Sequence, residues 1–259
     1  ILGQLQTWVD LLFAALVLAW MSGRPALAGC LAGLACALKP APLLLGLWGL
    51  ARGHTRFTLA LAATLGLLGA AAGWLYGFGN YLDYLRLLAY MGARGESFQP
   101  NQSLNGLVNR LFGNGDALVW QPAQLAPYHV FVHALTLAGG LAFAWLALGY
   151  RRRDARGAEL EDLMLAGLAA TIAAPIAWEH HYGIALPIFA VALPRALATP
   201  GRGASSVTWL ALAYLLMSHH VEALDALAGG PASPLASYLL AGGLVLLVML
   251  LRLRRARHG

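Results

Sequence analysis

Long apolar runs recur along the whole chain, and they limit its possible folds more than any single motif does. Nine are visible, at 5–21, 26–38, 41–51, 57–78, 128–149, 163–178, 182–194, 204–220 and 235–251. A helix needs roughly 20 apolar residues to cross a hydrocarbon core about 30 Å thick. Only 11% of the 259 residues are charged, against roughly 25% in a soluble domain. Apolar residues make up 59%, and mean hydropathy is +0.66. These features predict an all-α polytopic membrane protein, a multi-helix transmembrane bundle in which residues 1–259 form a single domain.

Pro40 and Pro42 separate the second run from the third, because proline lacks an amide donor and clashes with the preceding turn. As helices these two runs would be about 20 Å and 16 Å long, too short to cross. They read as half-helices meeting at Lys39-Pro40 near one membrane face, with a single kinked crossing as the alternative.

The net charge of +6 reads as membrane topology, since no basic face carries the interleaved aromatics of a nucleic-acid binder. Positive-inside counting puts the C-terminal arginines in the cytoplasm with Arg24, Arg52, Arg56, Arg151, Arg152, Arg153, Arg156, Arg195 and Arg202. Only Lys39, Arg86, Arg94 and Arg110 then lie outside, and Lys39 is the sole lysine. Cys30 and Cys36 sit on different faces of one helix and give no disulfide or metal framework. The chain opens Ile-Leu-Gly-Gln with no signal peptide, and it is expected to be the C-terminal part of a longer protein.

The one long loop, 79–127, falls outside in this topology. Residues 80–90 have the mixed make-up of an interfacial helix, and Asn101 or Ser103 could cap a short helix after it. Three polar sets then converge on the outer face: Lys39, the stretch Asn101 to Arg110, and Glu179-His180-His181. Ionisable groups beside a bilayer are costly and usually face a cavity, a partner or a ligand. Lysine offers a point charge and arginine a two-donor fork, so a lipid-linked phosphate is the natural ligand.

Each set also has a plainer reading. Lys39 could snorkel to the headgroups, and Arg110 could anchor its loop there. Asn101, Gln102, Ser103 and Asn105 could be turn and cap residues. Glu179, His180 and His181 could form a hydrogen-bonded helix end. Adjacent histidines point roughly 100° apart on a helix, so no metal is expected there. His219-His220 with Glu222 reads as interfacial, although it could enlarge the site.

Three stretches in order resemble glycosyltransferase family 87, polytopic enzymes of the C-type glycosyltransferase fold. The first is Gly3-Gln4, followed by Ala28-Gly29-Cys30-Leu31-Ala32-Gly33-Leu34-Ala35 and Leu38-Lys39-Pro40-Ala41-Pro42. The second is Asn101-Gln102-Ser103-Leu104-Asn105-Gly106 with Arg110, and the third is Pro175-Ile176-Ala177-Trp178-Glu179-His180-His181-Tyr182. The resemblance implies an inverting, metal-independent hexosyltransferase without cofactor, acting at the outer face of the plasma membrane, the inner membrane in bacteria. It would move mannose from a polyprenyl-phosphate donor to a lipid or glycan acceptor, among membrane lipids. Lys39 and Arg110 would contact the donor phosphate, and His180 or His181 the sugar, the phosphate or the acceptor. Asn101, Ser103 and Glu179 complete the expected substrate-binding set. In the family the base is an aspartate in the first outer loop, upstream of this chain. Asp10 does not replace it, because it sits inside an apolar helix. Two other readings compete: a transporter or flippase for a lipid-linked sugar, and a non-enzymatic membrane subunit. Inverted repeats, common in transporters, are not visible here.

Overall fold

The computed structural model describes residues 5–121, 125–149, 159–198 and 203–256. Among them, helices are the only regular elements longer than one β-bridge. Four helices open the chain: α1 (Gln6–Met21), α2 (Pro25–Leu38), α3 (Leu43–Arg52) and α4 (Thr55–Tyr76). Then come α5 (Asn80–Arg94), α6 (Leu104–Leu111), α7 (Val130–Leu148) and α8 (Glu159–Ala173). A 3₁₀ helix (Glu179–Ile184) leads into α9 (Ala185–Leu197), followed by α10 (Gly203–Ser218), α11 (Glu222–Asp225) and α12 (Tyr238–Ala256). The fold is all-α, as expected.

The nine apolar runs fall on helices, but they are not nine independent crossings. Among the described residues, α4 and α7 alone are long and apolar enough to cross a membrane by themselves, while α1, α2, α3 and α10 are shorter. α4 turns much of its apolar surface outward, with Leu67 73% and Trp74 84% exposed. Contiguous apolar exposure of this kind marks a membrane-facing or docking surface.

Residues 25–52 form a hairpin, not one kinked rod. Gly29 packs on Phe57 and Ala60, and Gly33 on Leu61 and Thr64. Contacts that advance together along both helices make α2 and α4 parallel, so α3 between them must run back. The glycines permit this approach, since a Cβ on Gly33 would stand 2.8 Å from the Thr64 Cβ. Lys39 therefore occupies the hairpin tip. α1 runs antiparallel to α2: Gln6 reaches Lys39 at one end, while Trp20 meets Trp48 and Phe57 at the other, with ring centroids 5.2 Å and 5.7 Å away.

α8 forms the centre of the bundle. Leu163, Met164, Leu165, Leu168 and Ile172 are all buried, which explains why the helix is apolar all round. Its N-terminal carboxylates are tied at the end opposite Lys39. Asp162 lies 3.3 Å from Arg52 and 2.9 Å from the Arg254 Nε, and Glu161 pairs with Arg195. These ion pairs join α3, α9 and α12 to α8 at that end of the bundle. Breaking one partner of a buried pair typically costs about 3–5 kcal/mol.

The segment between α4 and α7 is ordered by short helices. α5, predicted over 80–90, runs to Arg94 and buries none of its residues. Ser103 caps α6, its Oγ accepting the Gly106 amide at 3.1 Å.

Candidate functional site

Lys39 is positioned by the helix break that Pro40 enforces. Its ammonium donates to the Gln6 Oε1 at 2.8 Å and lies 2.7 Å from the His181 Nε2. Gln6 in turn donates to the Asp10 Oδ1 at 2.7 Å, one helical turn along α1. The His181 Nδ1 is 3.1 Å from the Trp178 carbonyl, which can only accept. Nδ1 therefore carries the proton, and Nε2 presents its lone pair to the ammonium. Burial, then the charge of Lys39 and the neighbouring His180, pull the His181 pKa down to about 3. Burial also lowers that of Lys39, opposed by the Asp10 charge. The result is a lysine beside a neutral histidine. An ammonium has three donors, and Gln6 and His181 take two of them.

Beneath this cation lies an apolar slot. A cavity of about 50 Å³ is lined at its polar end by Gln6, Lys39 and His181, and deeper by Val9, Phe13 and Leu45. Its rim offers a cation to an anionic group, and its walls are apolar.

The second polar set has a different role from the first. Asn101 is fully buried: its Nδ2 donates to the Glu96 carbonyl at 2.8 Å and the Pro175 carbonyl at 3.1 Å. Its Oδ1 accepts the Ala177 amide at 2.9 Å and the Ser103 amide at 3.3 Å. Gln102 spans to α12, accepting the Leu239 amide at 3.2 Å and donating to the Ala236 carbonyl at 2.9 Å. Arg110, 5% exposed, donates to the carbonyls of Ser97, Phe98 and Asn101 and to the hydroxyls of Ser233 and Ser237. Burial lowers its pKa to about 10, and among the described residues no carboxylate pairs with it. Asn101, Ser103 and Arg110 thus fasten the outer loop to residues 175–178 and α12. None of them lines the Lys39 cavity.

Of the residues expected in the site, the structure brings Lys39 and His181 into contact. His180 stacks beside His181, with ring centroids 4.6 Å apart. Glu179 turns toward His220, 3.6 Å away, and His220 also pairs with Asp225 at 3.3 Å. Burial raises the Glu179 pKa, an effect His220 opposes. Gln6 and Glu96 escaped the sequence reading, and Asp10 was set aside in it. Gln6 and Asp10 carry a usable signal, a polar i, i+4 pair on an apolar helix. Glu96, which accepts the Trp178 indole N–H at 2.6 Å, carries none.

An all-helical chain whose described residues include two helices long and apolar enough to cross a membrane belongs among helical membrane proteins. More particularly, the chain belongs to glycosyltransferase family 87, whose family model matches residues 1–175, and it is a membrane glycosyltransferase with sugar donor and acceptor substrates. The matched span takes in Lys39, Asn101, Ser103 and Arg110, while Glu179, His180 and His181 lie just beyond it. Gly3 and Gln4 of the first resembling stretch lie outside the described residues. No curated protein and no solved structure matches the chain.

Proposed function

We propose that this protein transfers mannose from a polyprenyl-phosphate donor to a lipid or glycan acceptor at the outer face of the plasma membrane, as a multi-pass, inverting and metal-independent enzyme. The observation that carries this reading is the Lys39 ammonium fixed between Gln6 and His181 above an apolar slot. A phosphate esterified to an isoprenoid matches both parts at once. The excess of arginines at the opposite end supports the outward orientation.

In this mechanism the acceptor hydroxyl attacks the anomeric carbon from the face opposite the phosphate. The carbon–oxygen bond to phosphate breaks, and polyprenyl phosphate leaves with the electron pair. Negative charge grows on the phosphate oxygens, and Lys39 stabilises it from a position set beforehand. His181 is unsuited to be the base, because its Nε2 lone pair already faces Lys39. His180, the preceding residue, is suited to a hydroxyl of the sugar. The proton of the acceptor goes to a base that none of the described residues is assigned to supply. Arg110, Asn101 and Ser103 act by holding the outer loop in register. Glu179 steadies the start of the 3₁₀ helix through His220.

A transporter reading is less well supported, because the middle of α8, from Leu163 to Ile172, is apolar and offers no polar path. The test is transfer of radiolabelled mannose from polyprenyl-phosphate mannose by the whole protein in nanodiscs. The reading predicts transfer by the wild type and a large loss on Lys39→Ala. Equal transfer by both would reject the site.

A further inference from the structure

A second cavity, of about 200 Å³, lies in the outer loop and plays no part in the mechanism above. Glu96, Ser97, Phe98, Asp116, Val119 and Gln121 line it. We infer that this cavity is the subsite for a sugar ring of the acceptor, separate from the cationic donor slot. The inference rests on the glycosyltransferase reading and deepens it.

Charge gives the first argument. The lining holds two carboxylates and an amide but no lysine, arginine or histidine. A phosphate is repelled there, whereas hydroxyl groups find acceptors. Rigidity gives the second. Glu96 is 8% exposed, and its Oε2 accepts the Trp178 indole N–H at 2.6 Å. Burial raises the pKa of this carboxylate above the usual range, and the Trp178 indole opposes the rise. Trp120 and Phe98 pack edge-on against Trp178, with centroids 5.8 Å and 6.0 Å away. A carboxylate offers about four lone-pair sites, so the Trp178 indole leaves capacity for a ligand. Asp116 is fixed by a different device: its Oδ1 accepts the Leu118 and Val119 amides at 2.8 Å and 2.9 Å. Those bonds lower its pKa and keep it an acceptor.

Position gives the third argument. Trp178 forms a bridge between the two cavities. Its ring holds Glu96, while its carbonyl accepts from His181, the partner of Lys39. A group-transfer enzyme needs its acceptor beside its donor, and this residue sets both. An opening of this size is below the roughly 300–1,000 Å³ of drug-sized sites and suits a single ring.

Saturation-transfer NMR with methyl α-D-mannopyranoside, on the whole protein in nanodiscs, tests the inference. Glu96→Gln with Asp116→Asn keeps the oxygens that Trp178, Leu118 and Val119 bond to, so the loop stays folded. The wild type should bind the glycoside, and the double variant about tenfold more weakly, the worth of a charge-assisted hydrogen bond. If the double variant melts early, Gln121→Leu, on an exposed lining residue, should give a comparable loss. No transfer from the wild type, undiminished binding by a folded variant, or displacement of the sugar by inorganic phosphate would each overturn the subsite. Lys39→Ala should bind the glycoside normally while losing polyprenyl phosphate. If Lys39→Ala kept polyprenyl phosphate, the donor assignment would fall and the sugar result would stand independently.

Discussion

The Lys39 ammonium lies 2.7 Å from the His181 Nε2, across 142 positions of sequence. This contact joins the tip of the α2–α3 hairpin to the 3₁₀ helix before α9. It also fixes the imidazole as neutral, because a neutral imidazole can accept from the lysine and an imidazolium cannot. The cation is thus aimed before any donor arrives, which favours a charge that develops only in the transition state.

Truncating the lysine should remove that cation without disturbing the fold. Lys39→Ala is expected to lower donor-dependent kcat/KM by roughly 10- to 100-fold, equivalent to about 1.5–3 kcal/mol for a hydrogen bond to a charged group. Lys39→Arg should not restore the wild-type value, because a planar fork cannot meet the Gln6 and His181 acceptors with the same geometry. Steady-state kinetics at varied donor concentration measures both.

Gln6 and Asp10 act through Lys39. Asp10→Asn keeps the size of the side chain but removes the anion that anchors the Gln6 amide. A severalfold rise in donor KM with nearly unchanged kcat is expected. Gln6→Leu should give a larger rise, since it strips the ammonium of one of its two acceptors. A fall in kcat at constant KM would instead place these residues in the chemical step.

Acid should destabilise the fold through His181. Its pKa is about 3 in the folded state against 6.5 unfolded. Between those values the unfolded chain binds more protons, so stability falls as pH drops through 6.5 toward 3. His181→Asn keeps an acceptor for Lys39 but cannot titrate. Its thermal midpoint should vary less with pH over that window than the wild type's, as followed by unfolding in detergent.

The loop frame should answer in stability before activity. Asn101→Ala leaves the Ala177 and Ser103 amides and the Glu96 and Pro175 carbonyls short of partners. At about 1–3 kcal/mol for each buried polar group left unsatisfied, a clear drop in thermal midpoint is expected. Arg110→Lys should behave similarly, since one ammonium cannot span two serine hydroxyls and three carbonyls.

Much of the helical plan was legible in the sequence. α4 and α7 followed from length and hydropathy, the α2–α3 break from Pro40 and Pro42, and the α6 cap from Ser103. Local patterns suffice for such features, because they depend on neighbours within a turn or two. The site was legible only in outline. Lys39 and the histidines were conspicuous as costly charges, but the contact between them depends on the tertiary path. Arg110 read as a phosphate ligand because a guanidinium offers two parallel donors to phosphate oxygens. What encloses it is a set of carbonyls and the α12-proximal Ser233 and Ser237, more than a hundred residues away. Asp10 was set aside for sitting in an apolar helix, and its link to Lys39 through Gln6 appears only once α1 is laid against the hairpin.

Binding of polyprenyl phosphate to the whole protein in nanodiscs, with no acceptor present, isolates the role of Lys39 from every later step. The wild type should bind it, and Lys39→Ala should bind at least about tenfold more weakly, the equivalent of one charge-assisted contact. Equal affinity for the two proteins, with Lys39→Ala shown to be folded, would mean that the anionic head is held elsewhere.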